Sequence, residues 1–334
     1  MPVIASSYRA PVGLGGGHAQ TIWASVIRRI APVAMQRERM ETPDGDFLDL
    51  DVAVHATAPR RIAILTHGLE GHSRRRYMQG MARALIRRGW SVAAWNCRGC
   101  SGEPNRLLRS YHSGATEDLD AVVRHLVRTR RPEELALVGF SLGGNMTLKL
   151  LGEYGDAAPA ELRRAVVFSV PCDLASSAAR LARWDNRVYM RRFLRTLVQA
   201  LREKDRRFPE ALDLADADAM RTFAEFDERY TAPLHGFVNA RDYWARCSSR
   251  RFIPGIRIPT LIVNARNDPF LTPQCFPVAE TESNPVVFLE LPRSGGHVGF
   301  VTFGSDEYWS ERRAARFLDE TRLPCTERTT AASA

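Results

Sequence analysis

The middle of the chain alternates between short apolar segments and amphipathic segments. Apolar, β-prone runs cover residues 61–66, 91–96 and 135–140. The segments between them carry apolar residues at helical spacing, one over 77–88 and one from an N-cap at Thr116 to about residue 128. Because strand and helix alternate, we expect a parallel sheet with right-handed crossovers.

The same rhythm continues toward the C-terminus. Residues 165–170, 260–265 and 286–291 predict three more strands, and residues 306–320 predict a closing helix. The interval 171–259 is too long for a single crossover, and its pattern indicates several helices. Because this insertion follows the C-terminal end of a strand, it predicts a helical cap or lid over that edge of the sheet.

Two alternating segments precede the first parallel strand. Residues 35–41 and 47–54 are separated by the turn sequence Pro43-Asp44-Gly45-Asp46, which predicts an antiparallel hairpin at one edge of the sheet. Residues 1–34 predict an N-terminal arm that packs on the core, with a helix over 19–29.

These elements define an expected domain organisation for the whole chain. A length of 334 residues accommodates one large α/β domain with an insertion. The expected parts are an N-terminal arm at 1–34, an α/β core at 35–170 and 260–322, a helical cap at 171–259 and a disordered tail at 325–334.

A glycine-flanked serine follows the apolar run at 135–140. Gly139-Phe140-Ser141-Leu142-Gly143 is a G-x-S-x-G sequence, and a helical pattern follows it. In a nucleophile elbow the serine occupies a sharp strand-to-helix turn, where larger residues two positions away would collide with the strand or the helix. Ser141 is therefore the candidate nucleophile, and the alternative is an ordinary glycine turn with a structural serine.

Two further residues follow strand ends in the order that a Ser-Asp-His hydrolase requires. Asp268 comes after the strand at 260–265, and His297 comes after the strand at 286–291. A serine hydroxyl needs a base within hydrogen-bond reach, and that base needs an orienting group. We therefore predict Ser141 as nucleophile, His297 as base and Asp268 as acid. Taken singly, Asp268 also fits a helix cap and His297 a surface loop.

Backbone N–H groups complete such a site by binding the oxyanion. One comes from the residue after the nucleophile, here Leu142, and one from the loop after an earlier strand. The sequence His67-Gly68-Leu69 is that loop, so the N–H of Leu69 is the second predicted donor. His67 and His72 are expected to orient this loop, and no catalytic role is predicted for either.

The net charge of +9 raises the question of nucleic-acid binding. The basic residues are scattered along the chain, and Lys149 and Lys204 are the two lysines among 47 basic residues. The sequence contains no RNP, helix-turn-helix or zinc-finger pattern. We therefore expect no nucleic-acid partner.

The cysteines and the apolar runs restrict the class of protein further. The six cysteines have no regular spacing, and Cys97-x-x-Cys100 lacks the second pair of a zinc site, so neither a disulfide framework nor a metal centre is predicted. Signal-peptide and membrane-spanning patterns are missing from the sequence, and the expected compartment is the cytoplasm.

Several blocks of the sequence resemble the YheT-like branch of the α/β-hydrolase superfamily, which also contains eukaryotic hydrolases of acylglycerols and phospholipids. The resemblance runs over most of the chain. Its blocks are Gly17-His18-Ala19-Gln20-Thr21-Ile22, Thr42-Pro43-Asp44-Gly45-Asp46, His67-Gly68-Leu69-Glu70-Gly71, Asn96-Cys97-Arg98-Gly99-Cys100-Ser101, Tyr111-His112-Ser113-Gly114, Gly139-Phe140-Ser141-Leu142-Gly143-Gly144-Asn145 and Thr231-Ala232-Pro233-Leu234-His235-Gly236-Phe237.

This resemblance implies an α/β-hydrolase fold with a mostly parallel central sheet, an antiparallel N-terminal hairpin and a helical cap insertion. It also implies carboxylic ester hydrolysis without a metal or an organic cofactor. The resemblance further implies that Ser141 is the nucleophile, Asp268 the acid and His297 the base.

The expected activity is that of a short-chain carboxylesterase or a monoacylglycerol lipase-like enzyme, acting on a small, lipid-like acyl ester. Apolar side chains of the predicted cap suggest an acyl pocket: Phe193, Leu197, Phe223, Phe226 and Trp244. Acyl transfer to an acceptor other than water and a non-catalytic lipid-binding module stay open as alternatives. A basic amphipathic helix over 188–202 leaves peripheral membrane contact of the cap open, although packing on the core is preferred. The oligomeric state is not predicted.

Overall fold

The computed structural model describes residues 3–320 and places nine strands in one sheet. In chain order the strands are β1 Val3–Ile4, β2 Gln36–Glu41, β3 Phe47–Ala53, β4 Arg61–Thr66, β5 Ser91–Asn96, β6 Glu134–Phe140, β7 Leu162–Phe168, β8 Thr260–Val263 and β9 Val287–Glu290. Their spatial order is β1, β9, β8, β7, β6, β4, β5, β3, β2. The pairs β2–β3 and β3–β5 are antiparallel, and the other pairs are parallel. The predicted mostly parallel sheet with an antiparallel hairpin at one edge is confirmed.

Helices connect these strands. The α-helices are α1 Gly17–Ile22, α2 Arg76–Ile86, α3 Thr116–Arg130, α4 Leu142–Tyr154, α5 Leu174–Leu181, α6 Arg187–Arg207, α7 Phe223–Phe226, α8 Ala232–Leu234, α9 Ala240–Cys247, α10 Val278–Glu282 and α11 Trp309–Asp319. Two π-helical turns cover Trp23–Ile27 and Asp227–Thr231. Short 3₁₀ turns cover Gly155–Ala157, Trp184–Asn186, Ala217–Ala219, Ser249–Gly255 and Pro273–Cys275.

The sheet is buried on both faces, which explains why its central strands read as continuous apolar runs. Ile62 and Ile64 of β4 pack on one face, where α3 and α4 cover the sheet. Ala63 and Leu65 of the same strand pack on the other face, where α2 and α11 cover it. The two-residue period of a strand therefore divides one sequence segment between two hydrophobic cores.

The prediction of Thr116 as an N-cap is wrong. Helix α3 begins at Thr116 itself, and Ala115 precedes it without a capping side chain. The Thr116 hydroxyl donates instead to Glu153 Oε2 of α4, at 2.6 Å. A hydroxyl in the first turn of a helix can thus hydrogen-bond to a side chain of a neighbouring helix instead of capping its own helix.

The other differences concern the ends of elements. The predicted helix over 306–320 starts at Trp309, where the Glu311 carboxylate accepts a hydrogen bond from the N–H of Tyr308 at 2.8 Å. Helix α6 extends beyond the predicted segment, to Arg207. Strand β1 is an unpredicted edge strand that pairs with β9 and is too short to produce a pattern.

Residues 171–259, hereafter the cap segment, contain helices α5 to α9. Their apolar side chains form a hydrophobic cluster of their own, which includes Leu181, Met190, Leu194, Val198, Leu201, Phe226 and Tyr230. Phe270, which follows β8, joins this cluster and so links the cap segment to the C-terminal end of the sheet. The predicted disorder of residues 325–334, and residues 321–322 of the predicted core, lie outside the described residues.

Candidate active site

The turn between β6 and α4 holds Ser141 in a conformation that L-residues rarely adopt, with φ of 52° and ψ of −120°. A Cβ atom at Gly139 would lie 2.7 Å from the backbone of Gly143 and Gly144, and one at Gly143 would lie 2.5 Å from the carbonyl oxygens of Thr66 and His67. Both positions therefore exclude a side chain, as the G-x-S-x-G pattern requires.

The structure brings Ser141, His297 and Asp268 together from three separate loops. His297 Nε2 lies 2.9 Å from Ser141 Oγ. On the other side of the ring, His297 Nδ1 lies 2.9 Å from Asp268 Oδ2 and 3.1 Å from Oδ1. A carboxylate beside Nδ1 holds the ring proton there, so the lone pair of Nε2 faces the serine hydroxyl.

Two contacts fix the carboxylate and the imidazole further. Asp268 is buried, and its Oδ1 also accepts a hydrogen bond from the N–H of Phe270 at 2.9 Å. The ring of Phe270 lies against the His297 ring, with centroids 4.3 Å apart. Phe270 thus limits the freedom of both side chains.

The loop after β4 lies beside Ser141 and contains the N–H of Leu69. A Cβ atom at Gly68 would be 3.1 Å from Ser141 Cβ, which shows how closely the loop backbone approaches. The N–H groups of Leu69 and Leu142 have no hydrogen-bond partner within residues 3–320. The N–H of Leu142 is also at the first turn of α4, where the helix dipole favours negative charge.

His67 anchors this loop from behind. Its Nε2 accepts from the N–H of Cys97 at 3.0 Å, so Nδ1 carries the proton and donates to the carbonyl of Gly68 at 2.8 Å. Burial lowers the pKa of His67 to about 4, and the ring is therefore neutral at neutral pH. The N–H of Gly68 donates to the Tyr77 hydroxyl at 3.0 Å. The loop conformation is thus fixed before substrate arrives.

A cavity of about 880 Å³ opens above Ser141 and His297. The five cap residues predicted to form an apolar pocket line it: Phe193, Leu197, Phe223, Phe226 and Trp244. Such a volume suits a ligand of lipid or drug size.

The sequence did not identify two histidines in the wall of this cavity. The rings of His112 and His235 are in contact, with centroids 4.5 Å apart and planes tilted by 51°. Burial lowers the pKa of both rings, that of His235 to about 4, so the pair is neutral at neutral pH. Both residues belong to blocks that carry the family resemblance, but no local pattern indicates that their loops fold over one site.

A family model described as alpha/beta hydrolase fold matches residues 64–303. The chain belongs to the α/β-hydrolase family. YheT of Escherichia coli strain K12, a proposed esterase, is 37% identical over 92% of this chain and 91% of its own length. The mouse protein named Phospholipase ABHD3 is 31% identical over 90% of this chain and 74% of its own length. These relatives confirm the predicted YheT-like branch.

A solved esterase structure shares the fold at low sequence identity. The Pyrococcus furiosus esterase Pf2001 aligns with a TM-score of 0.56 and 15% identity, over 93% of this chain and 98% of its own length. At this identity the likeness establishes the architecture alone. The predicted α/β-hydrolase fold is confirmed.

Metal ligands, cysteines and membrane-spanning helices can also be examined in this α/β-hydrolase. Within residues 3–320, no group of three or more His, Cys, Asp or Glu side chains is arranged to hold a metal ion. Cys97 and Cys100 are free thiols, and burial raises the pKa of both. None of the helices in this range is both long enough and apolar enough to cross a bilayer.

Proposed function

We propose that the protein is a serine hydrolase that cleaves carboxylic esters through an acyl-enzyme on Ser141. The ester-hydrolase class is supported by membership of the α/β-hydrolase family and by the esterase and phospholipase names of its relatives. One observation carries the proposal. His297 Nδ1 lies 2.9 Å from Asp268 Oδ2, and its Nε2 lies 2.9 Å from Ser141 Oγ.

In the first step, Ser141 Oγ attacks the ester carbonyl carbon while His297 Nε2 takes the hydroxyl proton. Asp268 holds the Nδ1–H and stabilises the imidazolium that forms. His297 then gives the proton to the oxygen of the leaving alcohol as the bond between that oxygen and the acyl carbon breaks. The acyl group stays on Ser141.

In the second step, water attacks the acyl-enzyme while His297 takes one of its protons. The acyl bond to Ser141 then breaks, the serine recovers a proton from His297 and the carboxylic acid leaves. In both steps the N–H groups of Leu69 and Leu142 bind the oxyanion. Loss of one such donor costs on the order of 3 kcal/mol of transition-state stabilisation.

The substrate is an ester with an apolar acyl chain. Aromatic and aliphatic side chains of the cap segment line the cavity, and burial of each methylene of a chain contributes about 0.8 kcal/mol. The cap segment therefore acts as the acyl-binding lid of a carboxylesterase or a monoacylglycerol lipase-like enzyme.

Hydrolysis of p-nitrophenyl esters of graded acyl length tests this proposal. We expect the wild type to hydrolyse the series and Ser141→Ala to lose at least about 10³-fold in kcat, because the nucleophile acts as a unit with its base. Ser283→Ala removes an exposed serine after α10 and is the matched control. A folded wild type that hydrolyses none of the esters would support a lipid-binding module instead.

Product analysis in the presence of ethanol separates hydrolysis from acyl transfer. Both reactions use the same acyl-enzyme, and only the second acceptor differs. The proposal predicts free acid as the main product, whereas a main product of ethyl ester would identify an acyltransferase.

A further inference from the structure

The Gly17–Ile22 block belongs to the family resemblance, yet the reaction described above gives it no role. In the structure this block is helix α1, and it lies against the loop that carries His297. The Thr21 hydroxyl accepts a hydrogen bond from the backbone N–H of His297 at 2.9 Å. The same hydroxyl donates to the carbonyl of Gly17 at 2.8 Å. Thr21 therefore connects the backbone of the candidate base to the N-terminal arm.

The loop that carries Asp268 is tied to the same arm. The Asn267 side chain donates to the carbonyl of Gly15 at 2.8 Å, and its oxygen accepts from the N–H of Gly296 at 3.1 Å. One amide thus bridges the arm, the loop of the acid and the loop of the base. Asn267 is the residue immediately before Asp268, and Gly296 immediately precedes His297.

The three segments approach each other at backbone distance. A Cβ atom at Gly296 would lie 2.5 Å from the carbonyl oxygen of Gly17 and 2.9 Å from Thr21 Oγ1. A Cβ atom at Gly17 would overlap the carbonyl oxygen of Asn267. Because no side chain separates the segments, a displacement of the arm is transmitted directly to both loops.

A buried glutamine fixes the arm itself. Gln20 is fully buried, its Oε1 accepts from the Tyr8 hydroxyl at 2.7 Å, and its Nε2 donates to the carbonyl of Leu14 at 2.8 Å. Its Oε1 also accepts from the N–H of Val301 at 3.3 Å, beyond the base loop. The arm is therefore anchored on both sides of His297.

The His297 loop depends on such external contacts. Val298 and Phe300 have φ values of 54° and 44°, which cost non-glycine residues on the order of 1–3 kcal/mol each. A strained loop persists only when its surroundings hold it in place. The hydrogen bond from the N–H of His297 to the Thr21 hydroxyl lies next to these two strained residues.

We propose that Thr21 is a positioning residue, which sets the place of the His297 imidazole between Asp268 and Ser141. This inference rests on the proposed function. A displacement of about 1 Å in a catalytic group can reduce the rate by about 10²-fold, and substrate binding in the cap segment would be unaffected. The signature of positioning is thus a loss in kcat without a matching change in KM.

Thr21→Val tests the proposal, because it removes the hydroxyl and keeps the shape of the side chain. We expect kcat for p-nitrophenyl esters to fall by roughly 10- to 100-fold with KM within about threefold of the wild type. The rate of fluorophosphonate labelling should fall by the same factor as kcat. Thr21→Ser restores the hydroxyl and should return kcat to within about threefold of the wild type.

Thr129→Val is the matched control. The Thr129 hydroxyl also donates to a carbonyl four residues earlier, that of His125, but it is exposed on α3. Its loss should leave kcat unchanged. If Thr21→Val does not fold, Asn267→Ala replaces it, since Asn267 is partly exposed and makes the second connection. The same loss in kcat is expected for that variant.

Three outcomes would overturn the positioning role, and a fourth would reject the proposed function. A folded Thr21→Val variant with wild-type kcat overturns the positioning role. A loss of activity equal to the fraction of unfolded protein, as measured by a urea titration, also overturns it. A loss that Thr21→Ser does not recover also overturns it. Labelling that persists at full rate in Ser141→Ala would instead reject the proposed function.

Discussion

At the scale of single residues, the backbone is strained on both sides of the contact between Ser141 and His297. Ser141 has a φ of 52°, and Val298 beside the histidine has a φ of 54°. Conformations of this kind cost about 1–3 kcal/mol each and survive when surrounding contacts over-determine them. Ser141 is held by the start of α4. The histidine loop is held by Thr21 of the N-terminal arm and by Ser169, whose Oγ accepts from the N–H of Val298 at 2.9 Å.

The buried His67 should make the free energy of unfolding depend on pH. Its pKa is about 4 in the folded protein, against 6.5 for an ordinary histidine, because burial disfavours the charged ring. As pH falls below 6.5, the unfolded chain binds a proton that the folded protein does not bind until about pH 4. The free energy of unfolding should therefore fall through this window, by roughly 3 kcal/mol from this group.

Urea titrations of the wild type and His67→Gln between pH 7 and pH 4 check this expectation. Glutamine can still accept from the N–H of Cys97 but does not titrate, so the stability of the variant should fall less steeply with acid. The two curves should converge toward pH 4. Equal slopes over the whole range would show that His67 is not a buried neutral base.

At the scale of elements, helix α6 supplies part of the cavity wall. Phe193 and Leu197 are one turn apart, and both line the cavity. Val188, on the same helix, is 80% exposed. One amphipathic helix therefore covers the site with one face and meets solvent with the other.

Leu197→Trp should shorten the pocket. We expect kcat/KM for long-chain esters to fall by at least about tenfold while that for acetate esters stays within about threefold, since one lost apolar contact is worth about 1–3 kcal/mol. Val188→Trp introduces the same ring at the exposed position of α6 and should change neither value. A uniform effect of Leu197→Trp on all chain lengths would place the acyl chain elsewhere.

The elements also show what the sequence could and could not predict. The strands at 61–66 and 91–96 were predicted with their observed bounds, because both are buried apolar runs between clear turns. The short strand β1 was not predicted. The bond between Thr21 and His297 joins residues 276 apart in sequence, and no local pattern encodes such a contact. Similarly, Thr116 fits an N-cap locally, and only the packing of α4 on α3 shows its actual partner.

At the scale of the whole molecule, the net charge of +9 coexists with buried ion pairs. The Arg98 guanidinium is 2% exposed and contacts Asp118 at 2.7 Å, Asp46 at 3.0 Å and Asp44 at 2.9 Å. Asp46 precedes β3 and Asp118 lies in α3, so one arginine ties the edge hairpin to a helix through the loop after β5. Part of the arginine excess therefore serves the fold rather than a charged partner.

Arg98→Met should destabilise the protein by about 3–5 kcal/mol, because it leaves buried carboxylates without their cation. Arg124→Met is the matched control, since Arg124 pairs with Asp120 at 2.8 Å but is 64% exposed. Loss of an exposed pair costs at most about 1 kcal/mol. Urea unfolding of both variants measures the difference, and equal costs would contradict the buried role of Arg98.

The central claim is that Ser141 is the nucleophile of an ester hydrolase, and mass spectrometric mapping of a fluorophosphonate adduct tests it most directly. We expect a single adduct on the peptide that contains Ser141, no adduct in Ser141→Ala and strongly slowed formation in His297→Ala, because the histidine takes the serine proton. An adduct on another residue, or full labelling of folded Ser141→Ala, would contradict the account.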